Sequence, residues 1–253
     1  MYSVKDSKIT YIVITQDLDE EFFLTYNSLL SQILPPFQLI VVCKRFYKSF
    51  PLVVNSYNFT EFKFISGEDN SIPNAFNIGL SYALGDFISF LNAGDKLIND
   101  SIVSDVTSHL QDNKWVIFKR IDAKKGLYSD QKKFSPNFSF FDFCCGRFYI
   151  SHQAVYYSRK IVEKVGLYNE KLKLHCMDYE YNLRTWKIAV PVIVDFPVVL
   201  YDMNGISSKS FLSTNITKLI IILKTPNLNL NKYYIALNLI FQIYKSLIVS
   251  VYK

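Results

Sequence analysis

Short apolar runs alternate with helix-period stripes along the first hundred residues. Ile9 to Thr15 is a β-branched run that predicts a buried strand. In "DLDEEFFLTYNSLLSQIL", residues Phe22, Phe23, Tyr26, Leu29, Leu30 and Ile33 recur at helical spacing. Asp17 or Asp19 offers an N-cap, acids crowd the first turn, and Pro35-Pro36 ends the helix. "FQLIVVC" (37–43) and "EFKFI" (61–65) predict two more strands, while residues 44–60 give no clear pattern. Ser71 caps a second helix that tolerates Pro73 in its first turn. Ile72, Phe76, Leu80, Ala83 and Leu84 form its stripe, and Gly85 is expected to close it in the left-handed region. "DFISFL" (86–91) predicts a fourth strand. This alternation implies an α/β fold, a mostly parallel sheet with helices on both faces.

The fourth strand runs straight into Asn92-Ala93-Gly94-Asp95. In such sheets ligands collect outside the carboxyl ends of the strands. A surface hairpin fits poorly, because residues 99–110 look helical and no strand is expected to return at once. Further on, residues 114–123 predict a strand, and residues 124–150 an aromatic, loop-rich stretch. Residues 151–172 predict a short strand and a helix ending near Gly166, and residues 177–188 a helix. Residues 189–203 predict one or two strands broken by Pro197. No internal repeat or low-complexity linker is visible.

The tail differs in kind. Residues 210–253 are rich in Leu and Ile and contain no acid. The second half of the tail has the length of a membrane span, yet Asn238, Gln242 and Lys245 interrupt it. A helix lying on a bilayer with lysines near the headgroups is the preferred expectation, and a helix packed on the preceding domain the alternative. The pattern divides the chain into a domain over residues 1–208 and a helical, membrane-associating segment over 209–253.

Composition narrows the classes. The 253 residues are 50% hydrophobic and only 20% charged, which excludes wholesale disorder and supplies a full core. A scattered net charge of +6 does not argue for nucleic acid; it fits phosphorylated substrates or an anionic membrane surface. Cys43, Cys144, Cys145 and Cys176 form no C-x-x-C pair and read as reduced thiols in a cytosolic setting. The N-terminus carries no secretory signal pattern.

The order "TYIVIT … LIVV … GEDNSIPNAFNIGLSYALGDFISFLNAGDKL … ISHQAVYYSR … VGLYNEKL … DYEYNLR" resembles the family 2 glycosyltransferases of bacterial polysaccharide assembly, over about residues 9–207. The resemblance implies the GT-A fold and an inverting, metal-dependent transfer of a sugar. The donor would be a nucleotide-sugar, UDP-linked first among the choices, and the acceptor a glycan or polyprenyl-linked molecule. The site would lie at the cytoplasmic face of the membrane.

"NAGD" matches an Asn-x-Gly-Asp variant of the family's metal motif. It implies Asp95 as ligand to Mg²⁺ or Mn²⁺, with Asn92 beside it; a Gly-Asp turn without metal is the alternative. "GEDNSIPNAFNIGL" matches a donor-pocket segment at Asp69, Ala75, Asn77 and Gly79 and departs from it at Ser71, Pro73 and Asn74. "MDYEYNLR" matches the second acidic motif and implies Asp178 as the base that takes the acceptor hydroxyl's proton. Glu180 is the alternative base, although Arg184 stands at its i+4 position and offers it a structural pair. "SHQAVYY" places His152 and Gln153 in the acceptor region. "NGIS" (204–207) resembles a segment closing over the donor, and His109 and His175 have no supporting context.

The departures fall on the nucleoside side. Thr15-Gln16-Asp17 stands where the family often has Pro-x-Tyr/Phe-Asn, and Cys43-Lys44 where acids usually hold the nucleoside. Thr15 and Asp17 are candidate substitutes. A second reading is therefore a non-catalytic GT-A relative that scaffolds a polysaccharide complex. A nucleotidyltransferase is disfavoured, because no Gly-rich, lysine-bearing phosphate loop follows the first strand.

Overall fold

The structure is a computed structural model that describes residues 8–48, 59–124, 127–131, 134–172, 176–203, 211–226, 228 and 232–251. His175 and residues 204–207 lie outside the described residues.

The first half follows the expected alternation: β1 (Ile9–Thr15), α1 (Glu20–Leu30), β2 (Gln38–Cys43), β3 (Glu61–Ser66), α2 (Ile72–Tyr82) and β4 (Phe87–Asn92). β3, β2, β1 and β4 lie side by side in that order, all parallel. Period-2 alternation splits β1 between two cores. Ile12 and Ile14 point to one face of the sheet, Tyr11 and Val13 to the other. α1 starts where Asp19 accepts from the Phe22 N–H at 3.0 Å, and α2 where Ser71 accepts from the Asn74 N–H.

Gly85 does not close α2. The helix ends at Tyr82 with Ala83 extended, and Gly85 is not among the glycines of positive φ. Its constraint is a close approach instead, because a Cβ there would lie 2.6 Å from the Lys8 carbonyl oxygen and 2.7 Å from Thr10 Oγ1.

The second half contains β5 (Lys96–Leu97), α3 (Ile102–Thr107), β6 (Trp115–Lys124), β7 (Leu127–Asp130), α4 (Phe140–Cys144), β8 (Val155–Ser158), α5 (Arg159–Val165), α6 (Met177–Ile188) and β9 (Val192–Asp202). A strand does return soon after Asp95. β5 is two residues long and pairs antiparallel with β9, not with β4, so it forms no surface hairpin. The aromatic stretch is more ordered than its composition predicts. β7 makes a hairpin with β6, and a reciprocal Ser139–Asp142 capping box starts α4.

Pro197 does not break the last strand. β9 is continuous, and its register against β6 shifts around the Lys119–Pro197 pair, where proline has no N–H to give. α5 ends at Gly166 with φ +79°, as expected.

Strand direction positions the site. β8 is antiparallel to both β4 and β6, and β9 is parallel to β6. β1, β2, β4 and β9 therefore end at one edge of the sheet, and β8 begins there. A 3-10 turn over His152–Ala154 leads directly into β8, so it arrives at the same edge.

The tail forms α7 (Phe211–Lys224) and α8 (Lys232–Val251). Ile222, Ile235 and Leu239 are fully buried in the same core as β1 and α2. Two of the polar residues that interrupt the apolar pattern face the domain. Asn238 Oδ1 accepts from Arg147 at 3.0 Å, and Gln242 Nε2 donates to the Cys145 carbonyl at 2.7 Å. Among the described residues no helix is long and apolar enough to cross a membrane. The outer side of α8 still exposes Tyr233, Leu237, Phe241 and Tyr244. The four cysteines are free and buried.

Candidate active site

A cavity of about 1160 Å³ opens at the carboxyl edge of the sheet. That is ample for a nucleotide with a sugar attached. Its walls come from the ends of β1 (Thr15, Gln16), β4 (Asn92, Asp95) and β9 (Tyr201, Asp202), and from the start of α2 (Asp69, Ser71). Lys44 after β2 adds the cation on that side, and Ser213 and Thr217 of α7 close the far wall.

Asp95 is 2% exposed and heavily bonded. Oδ2 accepts from Gln153 Nε2 at 3.0 Å and from the Asn92 N–H at 3.2 Å, and Oδ1 accepts from the Asp202 N–H at 3.2 Å. Burial pushes its carboxyl up to about 6, against the opposing pull of nearby His152 and these donors. Gly94 holds φ +94° in the turn, and a Cβ there would come within 3.4 Å of Asp202 Oδ2. The left-handed turn at this glycine sets Asp95 against Asp202, and Asp95 accepts that residue's backbone N–H.

Asp178 stands one layer back, at the start of α6, and does not line the cavity. Its Oδ2 lies 2.7 Å from His152 Nδ1, while its Oδ1 is buried with no hydrogen-bond partner among the described residues. His152 Nε2 in turn lies 3.2 Å from Asn92 Nδ2. Phe76 packs edge-on to the imidazole at 5.2 Å between ring centres. Asn92 lines the cavity, and its Oδ1 is buried with no hydrogen-bond partner among the described residues.

The other candidates divide. Thr15 lines the cavity, and its hydroxyl donates to the Asp17 carbonyl at 2.6 Å. Asp69 lines the cavity, and its Oδ1 is buried with no hydrogen-bond partner among the described residues; burial raises its carboxyl while Lys44 opposes this. Asp17 turns away from the cavity, accepting from Tyr47, Arg45 and the Leu18 N–H. The Tyr47 hydroxyl, before the Leu18 amide and Arg45, holds its carboxyl below the usual range.

Asn77 commits both its polar atoms to the 168–170 segment. It donates to the Tyr168 carbonyl and Glu170, and accepts from the Tyr168 N–H at 2.8 Å. Glu180 pairs with Arg184 through both oxygens, at 2.7 and 3.0 Å, as the i+4 spacing allows. That leaves Asp178 as the carboxylate of α6 with an oxygen to spare.

Several cavity residues carry no motif in the sequence. Asp202 offers one overlooked signal, an acid at the end of a strand, just as Asp95 follows β4. Ser213 and Thr217 offer none.

No cluster of three His, Cys, Asp or Glu suited to a metal occurs among the described residues. The corner nevertheless fits a hard divalent cation that takes its remaining ligands from phosphate. It holds Asp95, the Asp202 carboxylate beside Gly94, and the Asn92 Oδ1, which has no partner among the described residues.

No family model matches the chain. Two proteins of Mycobacterium tuberculosis, from strains CDC 1551 and H37Rv, are each named an uncharacterized glycosyltransferase. Each is 26% identical over 147 residues, 56% of this chain and 55% of the relative. The chain thus spans about half the length of the curated relatives it matches. Among solved structures, S. aureus TarS 1-349 in complex with UDP-GlcNAc superposes with a TM-score of 0.70 at 17% identity, covering 94% of this chain and 73% of that one. The same protein with UDP gives 0.67 at 18% identity over 92% and 69%. The chain has the GT-A fold, and the curated relatives it resembles are named glycosyltransferases.

Proposed function

From that fold and those relatives, we propose that the chain is an inverting glycosyltransferase. It takes a sugar from a nucleoside diphosphate donor, UDP-linked by analogy with the UDP and UDP-GlcNAc complexes of TarS, and hands it to a hydroxyl of a glycan or lipid-linked acceptor. The single observation carrying this reading is the 3-10 turn. Its consecutive residues His152 and Gln153 reach to Asp178 and Asp95, tying both acids to one edge of one sheet.

Chemistry follows from the spare atoms. In this reading Asp178, one layer behind the cavity wall, takes the acceptor hydroxyl's proton on its buried Oδ1, which has no donor among the described residues, and substrate binding has to open that layer to bring the two together. The acceptor oxygen then bonds to the anomeric carbon, and the bond from that carbon to the diphosphate oxygen breaks. Its electron pair leaves with the nucleotide, so the configuration at the carbon inverts. Asp95, Asp202 and Asn92 are the residues that would hold Mg²⁺ or Mn²⁺. When bound, such an ion supplies neutralisation of diphosphate charge in a cavity otherwise rich in acids. Lys44 and the N-terminus of α2 favour the phosphates from the opposite wall.

The exposed apolar face of α8, in a tail that has an exposed Lys224 and no acid, fits an anionic bilayer surface and would bring a lipid-linked acceptor to the cavity. The test of the enzymatic reading is transfer and donor hydrolysis over a panel of UDP, dTDP and GDP sugars with Mn²⁺. The wild type should turn over one donor, and Asp178→Asn should not.

One observation favours the alternative of a non-catalytic scaffold. Asp17 is bound to Arg45 and Tyr47, and Cys43-Lys44 replaces the acids that usually hold the nucleoside. Calorimetry with the same nucleotides separates the two, since a scaffold would bind none.

A further inference from the structure

Tyr201, near the end of β9, lines the cavity, and a cation backs its ring. The Arg120 guanidinium lies over it, 3.9 Å from the ring centre. Arg120 is itself pinned. Its Nε donates to Asp122 Oδ1 at 2.7 Å and its Nη1 to Ser151 Oγ at 2.9 Å, and only 11% of its side chain is exposed. A guanidinium whose charge Asp122 already matches thus turns Tyr201 into a fixed aromatic wall.

α7 brings hydroxyls to the same cavity. Ser213 and Thr217 line it one turn apart. Thr217 Oγ1 donates to the Ser213 carbonyl at 2.8 Å, so its oxygen keeps lone pairs with which to accept. The Cys176 thiol, two residues before Asp178, donates to the Thr214 carbonyl at 3.3 Å. That bond ties the start of α6, which carries the proposed base, to the α7 turn between the two hydroxyls.

The chemistry of this wall selects its ligand. A phosphate is disfavoured beside the carboxylates of Asp95 and Asp202. A bare hydrocarbon would leave the hydroxyls unmatched. A pyranose suits both features: its C–H groups give an apolar face to the aromatic ring, and its rim of hydroxyls donates and accepts. Strand order separates this wall from Lys44, because β1, β4, β8 and β6 lie between β2 and β9. In the proposed reaction the diphosphate lies on the Lys44 side, and inversion requires the incoming hydroxyl to come from the other.

We propose that Tyr201, Ser213 and Thr217 form a pyranose subsite that takes the terminal sugar of the acceptor. This rests on reading the cavity as a sugar-transfer site, and it commits the attacking hydroxyl to a sugar ring, whatever that ring is linked to.

The test uses the full chain and the methyl pyranosides of glucose, galactose, mannose and N-acetylglucosamine. Binding is read without turnover by saturation-transfer NMR and by the carbon–proton signals of the Tyr201 ring, assigned by their loss in Tyr201→Phe. At least one glycoside should bind at millimolar concentration and shift the Tyr201 signals, with saturation strongest on the C–H protons of one face of the sugar. Tyr201→Leu should weaken that binding at least ~10-fold while UDP affinity holds within about twofold, and Tyr201→Phe should keep most of it.

Failure of all four glycosides to bind overturns the proposal, as does binding that leaves the Tyr201 signals in place. Both are read on the wild type, so they decide even where Tyr201→Leu fails to fold. Loss of UDP-GlcNAc binding in Tyr201→Leu with glycoside binding intact also overturns it, by giving the ring to the donor. A chain that binds a glycoside on Tyr201 but transfers no sugar from any donor defeats the proposed function and leaves the subsite standing. A chain that transfers to a glycoside with a KM unmoved by Tyr201→Leu defeats only this inference.

Discussion

His152 and Gln153 are neighbours in the chain, yet each holds a different acid: His152 Nδ1 lies 2.7 Å from Asp178, and Gln153 Nε2 lies 3.0 Å from Asp95. In an extended strand, adjacent side chains would point to opposite faces. A 3-10 turn at the mouth of the reversed strand lets both reach the same edge. The first prediction follows from this contact. Gln153→Leu removes a donor from buried Asp95 and should destabilise the fold by about 1–3 kcal/mol. Urea unfolding would detect the loss; an unchanged midpoint would show that the contact is not made in solution.

Asp178→Asn keeps the size of the side chain and removes its basicity. Transfer should fall by ~10² or more while nucleotide affinity holds within about twofold. The same comparison on Glu180→Gln should leave kcat nearly intact, because Arg184 already occupies both Glu180 oxygens. Equal losses in the two variants would return Glu180 to candidacy as the base.

Burial pushes the Asp95 carboxyl up to about 6. A carboxyl raised above its unfolded value favours the protonated fold, so its contribution is complete below about pH 4 and is lost as pH rises through about 6. A cation and UDP at the same corner should reverse this by favouring the ionised form. Carboxyl-carbon NMR of the metal-free protein should find one aspartate near that value, moving down on addition of Mn²⁺-free Mg²⁺ with UDP. A shift with UDP alone would argue against a metal at Asp95.

Asn77 sits in a segment that resembles the donor pocket, but its amide ties α2 to residues 168 and 170. Asn77→Ala should therefore cost about 1–3 kcal/mol in stability. Once folded, the variant should bind donor with wild-type affinity. Loss of donor binding without loss of stability would place Asn77 in contact with the nucleotide-sugar.

Two leucines two residues apart on α8 face opposite ways. Leu239 is fully buried, whereas Leu237 is 63% exposed. Leu239→Ala should cost about 2–5 kcal/mol. Leu237→Glu should leave thermal stability unchanged and weaken co-sedimentation with anionic vesicles. If Leu237→Glu sediments like the wild type, that outer face has no role at a bilayer.

The four parallel strands β1 to β4 were readable from the chain because they are short runs bounded by turn residues, and successive residues of β1 alternate cleanly between the two cores. What escaped has physical reasons. β7 and α4 lie in a stretch whose many aromatics blur both periods, so only the Ser139–Asp142 box could have marked a helix start. Pro197 looked like a strand break because sequence shows the missing N–H but not the shifted register that spares it. Gly85 looked like a helix cap because spacing cannot reveal the approach of the Lys8 backbone. At the site, Asp95, Asp69, Asn92 and Thr15 reach the cavity because they end or follow elements at one sheet edge. Asp17 and Asn77 share that neighbourhood in sequence, but local partners claim their polar atoms.

Ser213 and Thr217, one turn apart on α7, give the cavity a wall that belongs to neither the sheet nor its flanking helices. Substitutions along that single helix can therefore reshape the cavity while the ends of β1, β4 and β9 stay as they are. If the proposed transfer reaction holds, a change of acceptor would leave its mark on α7, far from the strand-end motifs.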